Sequence, residues 1–354
     1  MAKIIHASDF CLGKQFAGVG KAGDFVRKAL KESLERAITQ ALDKSVDLFI
    51  VSGNLFATNL VSRHLTDFVF RQVERLGRIP FVVMPGTSDC LDENSIYWYL
   101  PNENRPENFL LLNCRETPYL NFPDSEITVY GMTGFGERIS TTGTPLPQRQ
   151  NLPGVHVVVT CSSENCEELA NVSFDYVAVG GTNYQQWSDK AYSSGSPEAQ
   201  DFDNTEAGQV LLVDFNYGQL TVEKIHTGQL VWKQIELDNA RFRYNIEVEE
   251  ELLKHASEQT LLRISFDGHF VPDGYLDLHM VENDFRTKFC ALRIDDARRF
   301  GSSGARPAGG DALSSDFTSL LEEAIEKAPA DLRPKYLQAL VTGNAMLSGK
   351  DVIS

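Results

Sequence analysis

The chain is organised around its residues 3–14, which read Lys-Ile-Ile-His-Ala-Ser-Asp-Phe-Cys-Leu-Gly-Lys. The apolar run at residues 4–7 is followed at once by Ser8, Asp9 and Gly13, so we predict a buried strand that ends in a loop carrying a carboxylate. His6 lies within the strand pattern, and we interpret it as a core histidine. Open α/β sheets hold their ligands at such strand ends, which makes Asp9 the first candidate site residue.

The following segments alternate helix and strand. Apolar residues recur at helical spacing over residues 25–42 and again over residues 65–76. Residues 47–52 and 81–84 are short, nearly all-apolar runs, which are typical of parallel strands buried on both faces. A loop containing glycine follows each run. We therefore predict a β-α-β-α-β unit whose loops meet at one edge of the sheet.

Beyond residue 109 the pattern changes to strands in close succession, which predicts a second sheet stacked on the first. We expect these strands at residues 109–112, 127–130, 155–160, 176–179, 210–215 and 220–226. The predicted fold class is α/β, with two stacked mixed sheets flanked by helices. The predicted domains are a main domain at 1–229, a small α+β domain at 230–299, a flexible linker at 300–315 and a helical segment at 316–354.

The composition limits the classes of function. The chain has 354 residues and a formal net charge of −16, so its surface as a whole repels phosphate backbones, and tight binding to DNA would need a local basic patch. No apolar run approaches the roughly 20 residues of a membrane-spanning helix. The six cysteines are scattered without a Cys-x-x-Cys pair, and no signal peptide is evident. We predict a soluble, cytoplasmic protein with reduced thiols and no membrane contact.

Several motifs, in order and spacing over residues 1–299, resemble the calcineurin-like metallophosphoesterases, and among them the nuclease subunit of SbcCD-type double-strand-break repair complexes. Residues 9–13 (Asp-Phe-Cys-Leu-Gly) resemble the family's Asp-x-His-Leu-Gly, and residues 52–57 (Ser-Gly-Asn-Leu-Phe-Ala) resemble Ser-Gly-Asp-Leu-Phe-Asp. Residues 86–89 (Gly-Thr-Ser-Asp) stand where Gly-Asn-His-Asp is expected, and residues 175–183 resemble Asp-Tyr-Val-Ala-Leu-Gly-His-Ile-His. The resemblance implies an αββα sandwich with a capping domain.

The resemblance also implies that the metal ligands of the family are largely lost. Of the positions that the family uses for metal, Asp9 keeps the expected residue type. A pair of cations needs an anionic bridge, which the neutral Asn54 cannot supply, and Ser88 is a poor acid in the place of the catalytic histidine. Either Thr160 or Cys161 replaces another histidine. We therefore expect no catalytic residue and no bound metal at the degenerate positions, which are Asp9, Cys11, Asn54, Ser88, Asp89, Gly181 and Asn183.

Two other interpretations of these residues stay open. Asp9 and Asp89 lie in glycine-containing loops, where an aspartate commonly caps backbone amides. Alternatively, one rebuilt metal site could form from Asp9, Cys11, Asp89 and Cys161, with zinc, which thiolates favour, or manganese as the ion.

Two apolar segments are candidate interfaces. Residues 96–100 (Ile-Tyr-Trp-Tyr-Leu) occupy the place where the family's subunits pair, so we expect Tyr97, Trp98 and Tyr99 at a homodimer interface. Further along, Asp316 can cap a helix, and a second helical segment follows at residues 334–341. The tail could fold back onto the main domain. The resemblance implies instead that it grips the coiled coil of an SbcC-like ATPase, through Phe317, Leu320, Leu321, Ile325, Leu337 and Leu340.

Three functions are compatible with these patterns. The first is a catalytically inactive SbcD-like subunit that serves an SMC-like ATPase as a structural or regulatory partner in DNA repair, end processing or defence against phages and plasmids. The second is a metal-dependent exonuclease or phosphodiesterase with a rebuilt single-metal site. The third is an interaction module unrelated to nucleic acids. The negative charge favours the first and third functions, with any DNA bound through the complex.

Overall fold

The computed structural model describes residues 2–100, 104–113, 119–132, 147–161, 174–268, 276–298 and 312–329 and, in the C-terminal tail, residues 332, 333, 335, 336, 339, 340, 343 and 347. The chain divides into two compact units, Met1–Trp232 and Lys233–Ser354. The sequence placed the end of the first unit at residue 229. Residues 299–311, which hold most of the expected linker, lie outside the described residues.

The first unit contains two mixed sheets, each with six strands among the described residues. The first sheet has the order β12-β11-β1-β2-β3-β4 and the second has the order β5-β6-β7-β8-β10-β9. The strands are β1 (Ala2–Ala7), β2 (Leu48–Ser52), β3 (Phe81–Met84), β4 (Phe109–Leu111), β5 (Tyr119–Phe122), β6 (Ile127–Met132), β7 (Val155–Thr160), β8 (Tyr176–Val179), β9 (Tyr184–Gln186), β10 (Ala191–Ser194), β11 (Gln209–Asn216) and β12 (Gln219–His226).

The central strands of each sheet pair in parallel. In the first sheet β1, β2, β3 and β4 run parallel, β11 pairs antiparallel with β1, and β12 pairs antiparallel with β11 at the edge. In the second sheet β6, β7, β8 and β10 run parallel, with β5 and β9 antiparallel at the edges. The predicted α/β class with two stacked mixed sheets is confirmed.

The core of the first unit lies between the two sheets. Alternate residues of both sheets share one cluster, in which Ile4 and Ile50 come from the first sheet and Val157 and Tyr176 from the second. His6 is fully buried in this layer, and its ring nitrogens lie 2.9 Å from the Tyr176 hydroxyl and 2.8 Å from Ser52 Oγ. The interpretation of His6 as a satisfied core histidine is confirmed, and its contacts tie the two sheets together.

Helices cover the other face of the first sheet. The helices of this unit are α1 (Gly23–Asp43), α2 (Arg63–Arg75), the short α3 (Ile96–Tyr99) and a 3₁₀ helix at Ala17–Ala22. The rings of Phe49 and Phe81 stack with centroids 4.9 Å apart, and Phe109 continues the row at 5.9 Å. Phe70 of α2 packs edge-on against Phe109 at 5.6 Å. Both faces of these parallel strands are therefore buried, as their apolar sequences predict.

The second unit has its own sheet and its own core. Its strands are β13 (Val231–Asp238), β14 (Ser257–Asp267) and β15 (Phe289–Asp296), in that order, and β14 pairs parallel with β15. Its helices are α4 (Asn245–Leu253) and α5 (Leu278–Phe285), with 3₁₀ turns at Asn239–Arg241 and Arg286–Lys288. Val248 and Leu252 of α4 and Val281 of α5 pack into one apolar cluster with the sheet. This unit is the small α+β body that the sequence predicts.

The C-terminal tail differs from the expectation in two ways. Its first helix, α6 (Ala312–Lys327), begins before Asp316, so Asp316 does not cap it. The glycine- and proline-rich composition ends at Gly310, and nothing in residues 312–315 opposes a helix. In addition, Ile325 and Leu340 are buried against each other, with Phe317 and Leu321 packed beside them.

This packing changes which tail residues can serve as anchors. Ile325 and Leu340 were expected to contact another chain, but they form the small core of the tail itself, because short amphipathic helices bury their apolar faces wherever they can. Leu320 is 67 % exposed, and Leu337 lies outside the described residues. Across the described part of the chain, no helix has the length and apolar character to cross a membrane.

A buried carboxylate holds the end of the first unit. Glu198 is fully buried, and its oxygens accept hydrogen bonds from the backbone amides of Gln229 at 2.8 Å and Leu230 at 2.9 Å. Arg36 of α1 lies 3.4 Å from the same carboxylate. Burial raises the pKa of Glu198 to about 7, against the lowering effect of these amides and of Arg36. The segment that leads into β13 is thus fixed by one ionisable group.

We predict that the Glu198→Gln variant loses a pH dependence that the natural protein has. A folded pKa of about 7 lies above the ordinary value of 4.5, so the carboxyl group stabilises the fold most at low pH, and this contribution disappears as the pH rises through 7. Relative to the variant, the natural protein should gain roughly 2 to 3 kcal/mol of unfolding free energy between about pH 8 and about pH 5.

Denaturant unfolding of both proteins at the two pH values measures this difference. His6, whose pKa burial lowers to about 3, weakens both proteins equally on acidification and therefore cancels. A difference in stability that does not change with pH would contradict this account of Glu198.

Candidate functional site

The candidate site lies where β1, β2 and β3 end. Parallel strands end at the same edge of a sheet, so the loops after these strands are neighbours. The Asp9 amide donates to the Gly53 carbonyl at 3.0 Å, and the Cys11 amide donates to the Asn54 carbonyl at 2.9 Å. Asp9, Cys11 and Asn54 all have φ near +50°, a left-handed backbone that Asp and Asn tolerate better than most residues. The predicted meeting of these loops is confirmed.

Asp9 has N–H donors on both of its carboxylate oxygens. Oδ1 accepts from Asn54 Nδ2 at 2.8 Å, and Oδ2 accepts from the backbone amide of Gly181 at 2.8 Å. Asp9 is 4 % exposed. Burial raises its pKa, while the hydrogen bonds with Asn54, Gly181 and Ser8 and the charge of Lys14 oppose this rise. The carboxylate therefore caps the Gly181 amide in the loop after β8 (Tyr176–Val179) and binds the Asn54 side chain in the loop after β2.

Asn54 is bonded at both ends of its side chain. Its amide nitrogen donates to Asp9, as described above, and its Oδ1 accepts from the backbone amide of Ser88 at 2.8 Å. A Cβ atom on Gly86 would lie only 2.3 Å from Asn54 Oδ1, so glycine is required there. Ser88 thus enters the site through its backbone.

Asp89 organises the loop after β3. Its carboxylate is fully buried and accepts from the backbone amides of Gly86 at 2.7 Å and Phe56 at 3.0 Å. The hydroxyl of Tyr97 donates to it at 2.6 Å. Burial raises the pKa of Asp89, and these three donors favour its ionised form. The capping interpretation is confirmed for both Asp9 and Asp89, since each binds backbone amides.

This position of Tyr97 corrects part of the expected dimer interface. Tyr97 is 3 % exposed, because its ring packs beside Phe56 and its hydroxyl is used by Asp89, so it cannot face a second subunit. Trp98 and Tyr99 are 46 % and 68 % exposed. Their place in an interface stays a prediction.

The alternative thiol-containing metal site does not form. Burial, with the nearby charge of Asp9, raises the pKa of the Cys11 thiol to about 12. Cys161 lies beside Gly53 and contacts the core between the sheets. Within the residues that the structure describes, no group of three or more His, Cys, Asp or Glu side chains could hold a metal ion.

Asn183 does not join the Asp9 cluster. Its side chain donates to the carbonyl of Asp203 at 3.2 Å and accepts from the amide of Glu206 at 3.2 Å, so it fixes a different loop. Gly181, in contrast, does belong to the cluster. Its amide donates to Asp9, and its carbonyl accepts from Ser8 Oγ at 2.9 Å.

Sequence reasoning missed some members of the site. Gln200 is 2 % exposed, and its Nε2 donates to the Asp9 carbonyl at 2.7 Å. Ser193 Oγ lies 3.3 Å from the Gly181 carbonyl. Both residues lie more than 180 positions along the chain from Asp9. Neither follows a motif or a periodicity, so no local signal reveals them.

These residues do not fit the metal pair that the resemblance implies. A carboxylate that binds cations must direct oxygen lone pairs at them, but both Asp9 oxygens face N–H donors, and Asn54 turns an N–H towards Asp9. The oxygens of Asp89 are occupied by two amides and a hydroxyl. The arrangement is chemically a set of hydrogen-bonded caps.

Comparisons with known proteins add little to this description. No family model matches the chain, and no curated protein sequence matches it. Among solved structures, the chain is similar to TT1561 of Thermus thermophilus, with 15 % sequence identity, a TM-score of 0.39, and coverage of 63 % of this chain and 98 % of that chain. A likeness at this level supports no argument about the site.

We predict that Tyr97→Phe destabilises the protein without changing its oligomeric state. Removing the hydroxyl takes one donor from a fully buried carboxylate, which typically costs about 1.5 to 3 kcal/mol. Urea unfolding measures the loss, and light scattering measures the mass. Tyr217→Phe is the matched control, because Tyr217 is 91 % exposed and the loss of its hydroxyl should cost under about 0.5 kcal/mol. Equal effects of the two substitutions, or a change in mass with Tyr97→Phe, would count against this assignment.

Proposed function

We propose that this protein is a catalytically silent relative of the calcineurin-like metallophosphoesterases, and that it acts in the cytoplasm as the SbcD-like subunit of a complex with an SMC-like ATPase. In this role it is a structural or regulatory partner in DNA repair, DNA end processing or defence against phages and plasmids. The observation that carries the proposal is the hydrogen bond from Asn54 Nδ2 to Asp9 Oδ1, at the position where an active member would have an anionic bridge between two cations.

The rest of the site supports the loss of phosphoesterase chemistry. Ser88 replaces the histidine that would assist the leaving group, and its contribution to the site is a backbone amide. Asp89 is enclosed by three donors and has no exposed surface for a substrate to reach. The sequence around these loops resembles the family's motifs while the chemical groups differ, which is what a retained scaffold with a lost activity would look like.

The charge of the chain favours a role within a complex. A formal net charge of −16 repels DNA at long range, so we propose that DNA reaches this subunit through the ATPase. We propose a homodimer that uses Trp98 and Tyr99, both exposed aromatic side chains of the kind that anchor interfaces.

The tail is the proposed docking element for the ATPase. Since Ile325 and Leu340 pack on each other, we propose that the tail docks as a preassembled unit and presents the exposed Leu320 to the coiled coil. A partner that binds this unit would not have to order it, which lowers the entropic cost of association.

The first prediction is that the purified protein cleaves neither single- nor double-stranded DNA with Mn²⁺ or Mg²⁺, and that it binds no metal pair. The reason is that Asn54, Ser88 and Gly181 supply no bridge, no acid and no imidazole. Nuclease assays and native mass spectrometry test this together. Stoichiometric metal, with cleavage that Asp9→Ala abolishes, would instead establish the rebuilt enzyme.

The second prediction is that a protein ending at residue 300 stays folded but no longer co-purifies with the ATPase. The apolar cluster of the tail shares no residue with the core of either unit, so the tail should be dispensable for folding. Leu320→Asp in the full chain should weaken association in the same direction. Tyr217→Asp is the matched control, because Tyr217 is 91 % exposed in the first unit. Unchanged association after truncation would contradict the proposed role of the tail.

A further inference from the structure

We infer that Asn54 takes the structural place of a cation: its carboxamide fastens the loops after β1, β2 and β3 together, and the fold requires one carboxylate and one amide in the Asp9–Asn54 pair. The pair would then be a positioning element that holds the sheet edge without metal. The inference concerns the stability of this chain and does not depend on the proposed partner.

The contacts connect four strand ends through two side chains. Asn54, after β2, reaches Asp9 after β1 at 2.8 Å and the amide of Ser88 after β3 at 2.8 Å. Asp9 in turn holds the amide of Gly181 after β8 at 2.8 Å. The last contact joins the first sheet to the second. Each polar atom of the two side chains therefore has a partner, Asp9 has a further hydrogen bond with the Ser8 side chain, and no donor faces another donor.

A simpler reading is that Asn54 serves only its own turn. Its φ of 50° is left-handed, and asparagine is among the residues that tolerate this conformation. A turn residue needs no particular side-chain partners, however, whereas both ends of this carboxamide are bonded to other loops. Glycine separates the two readings, because it keeps the left-handed backbone and removes the carboxamide.

The surroundings of the pair offer little to compensate a second carboxylate. Asp9 is 4 % exposed, and the nearby cation, Lys14, lies 3.2 Å from Gln200 Oε1 and 3.9 Å from Asp201. A carboxylate at position 54 would place two acceptors about 2.8 Å apart with no donor between them. Two ionised carboxylates at that distance repel each other strongly in a buried site, so the pair must take up a cation or share a proton.

Exchanging the two residues rebuilds the same contacts in the opposite sense. With Asp9→Asn and Asn54→Asp together, the new amide at position 9 has an oxygen for the Gly181 amide and an N–H for the carboxylate at position 54. That carboxylate has a second oxygen for the Ser88 amide. The double variant therefore keeps one negative charge and every hydrogen bond, whereas either single variant places two like groups face to face.

The experiment measures melting temperatures of the natural protein, Asp9→Asn, Asn54→Asp, Asn54→Gly and the double variant, each in EDTA and in millimolar Mn²⁺. Each single variant should melt about 5 °C or more below the natural protein in EDTA, and the double variant should recover at least half of the summed loss. Mn²⁺ should raise the melting temperature of Asn54→Asp and leave the natural protein unchanged.

Three results would overturn the inference. The first is a double variant whose fall in melting temperature equals the sum of the two single falls. The others are an Asn54→Gly variant that melts at the same temperature as the natural protein, or stabilisation of the natural protein by Mn²⁺. If Asn54→Asp does not fold, the soluble yield replaces the melting temperature. Recovery of yield in the double variant then supports the inference, and a double variant that also fails overturns it. None of these outcomes bears on ATPase association, which the truncation experiment tests separately.

Discussion

Parallel pairing of β1, β2 and β3 is the constraint on which the rest of the structure depends. It brings the ends of three strands to one sheet edge, so the loops that carry Asp9, Asn54 and Asp89 must share a small volume. Polar groups brought together in a buried place need partners, whether these are cations or hydrogen-bond donors. In this protein the described partners are backbone amides, one carboxamide, one serine side chain and one tyrosine hydroxyl.

In the proposed function, hydrogen bonds take the place that cations hold in an active phosphoesterase. A bound cation contributes to the stability of a site as well as to its reaction, so carboxylates that lack a cation need other partners. The charges of Asp9 and Asp89 are compensated by N–H and O–H donors from neighbouring loops. Asp9 and Asn54 both have a left-handed backbone.

Strong local patterns made much of the fold predictable. The apolar runs of β2 and β3 and the glycines after them indicated parallel strands, and the loops meet as expected. The short β9 and β10 were missed because polar residues such as Gln185, Ser193 and Ser194 give no strand signal. At the site, the capping by Asp89 was predictable from its neighbours, but Tyr97 was misplaced, since an aromatic cluster does not reveal which ring turns inward. The role of Gln200 depends on a contact across the whole domain.

The side-chain amide of Asn54 offers the most direct test of this account. In nuclear magnetic resonance spectra of the natural protein, its amide protons should exchange slowly with solvent and keep their intensity when an equimolar amount of Mn²⁺ is added. The amide of Asn108, which donates to the carbonyls of Val73 and Ile79, provides the internal control. Selective loss of the Asn54 signal, with that of Asn108 retained, would place the paramagnetic ion at Asp9 and contradict the claim that hydrogen bonds have replaced the metal.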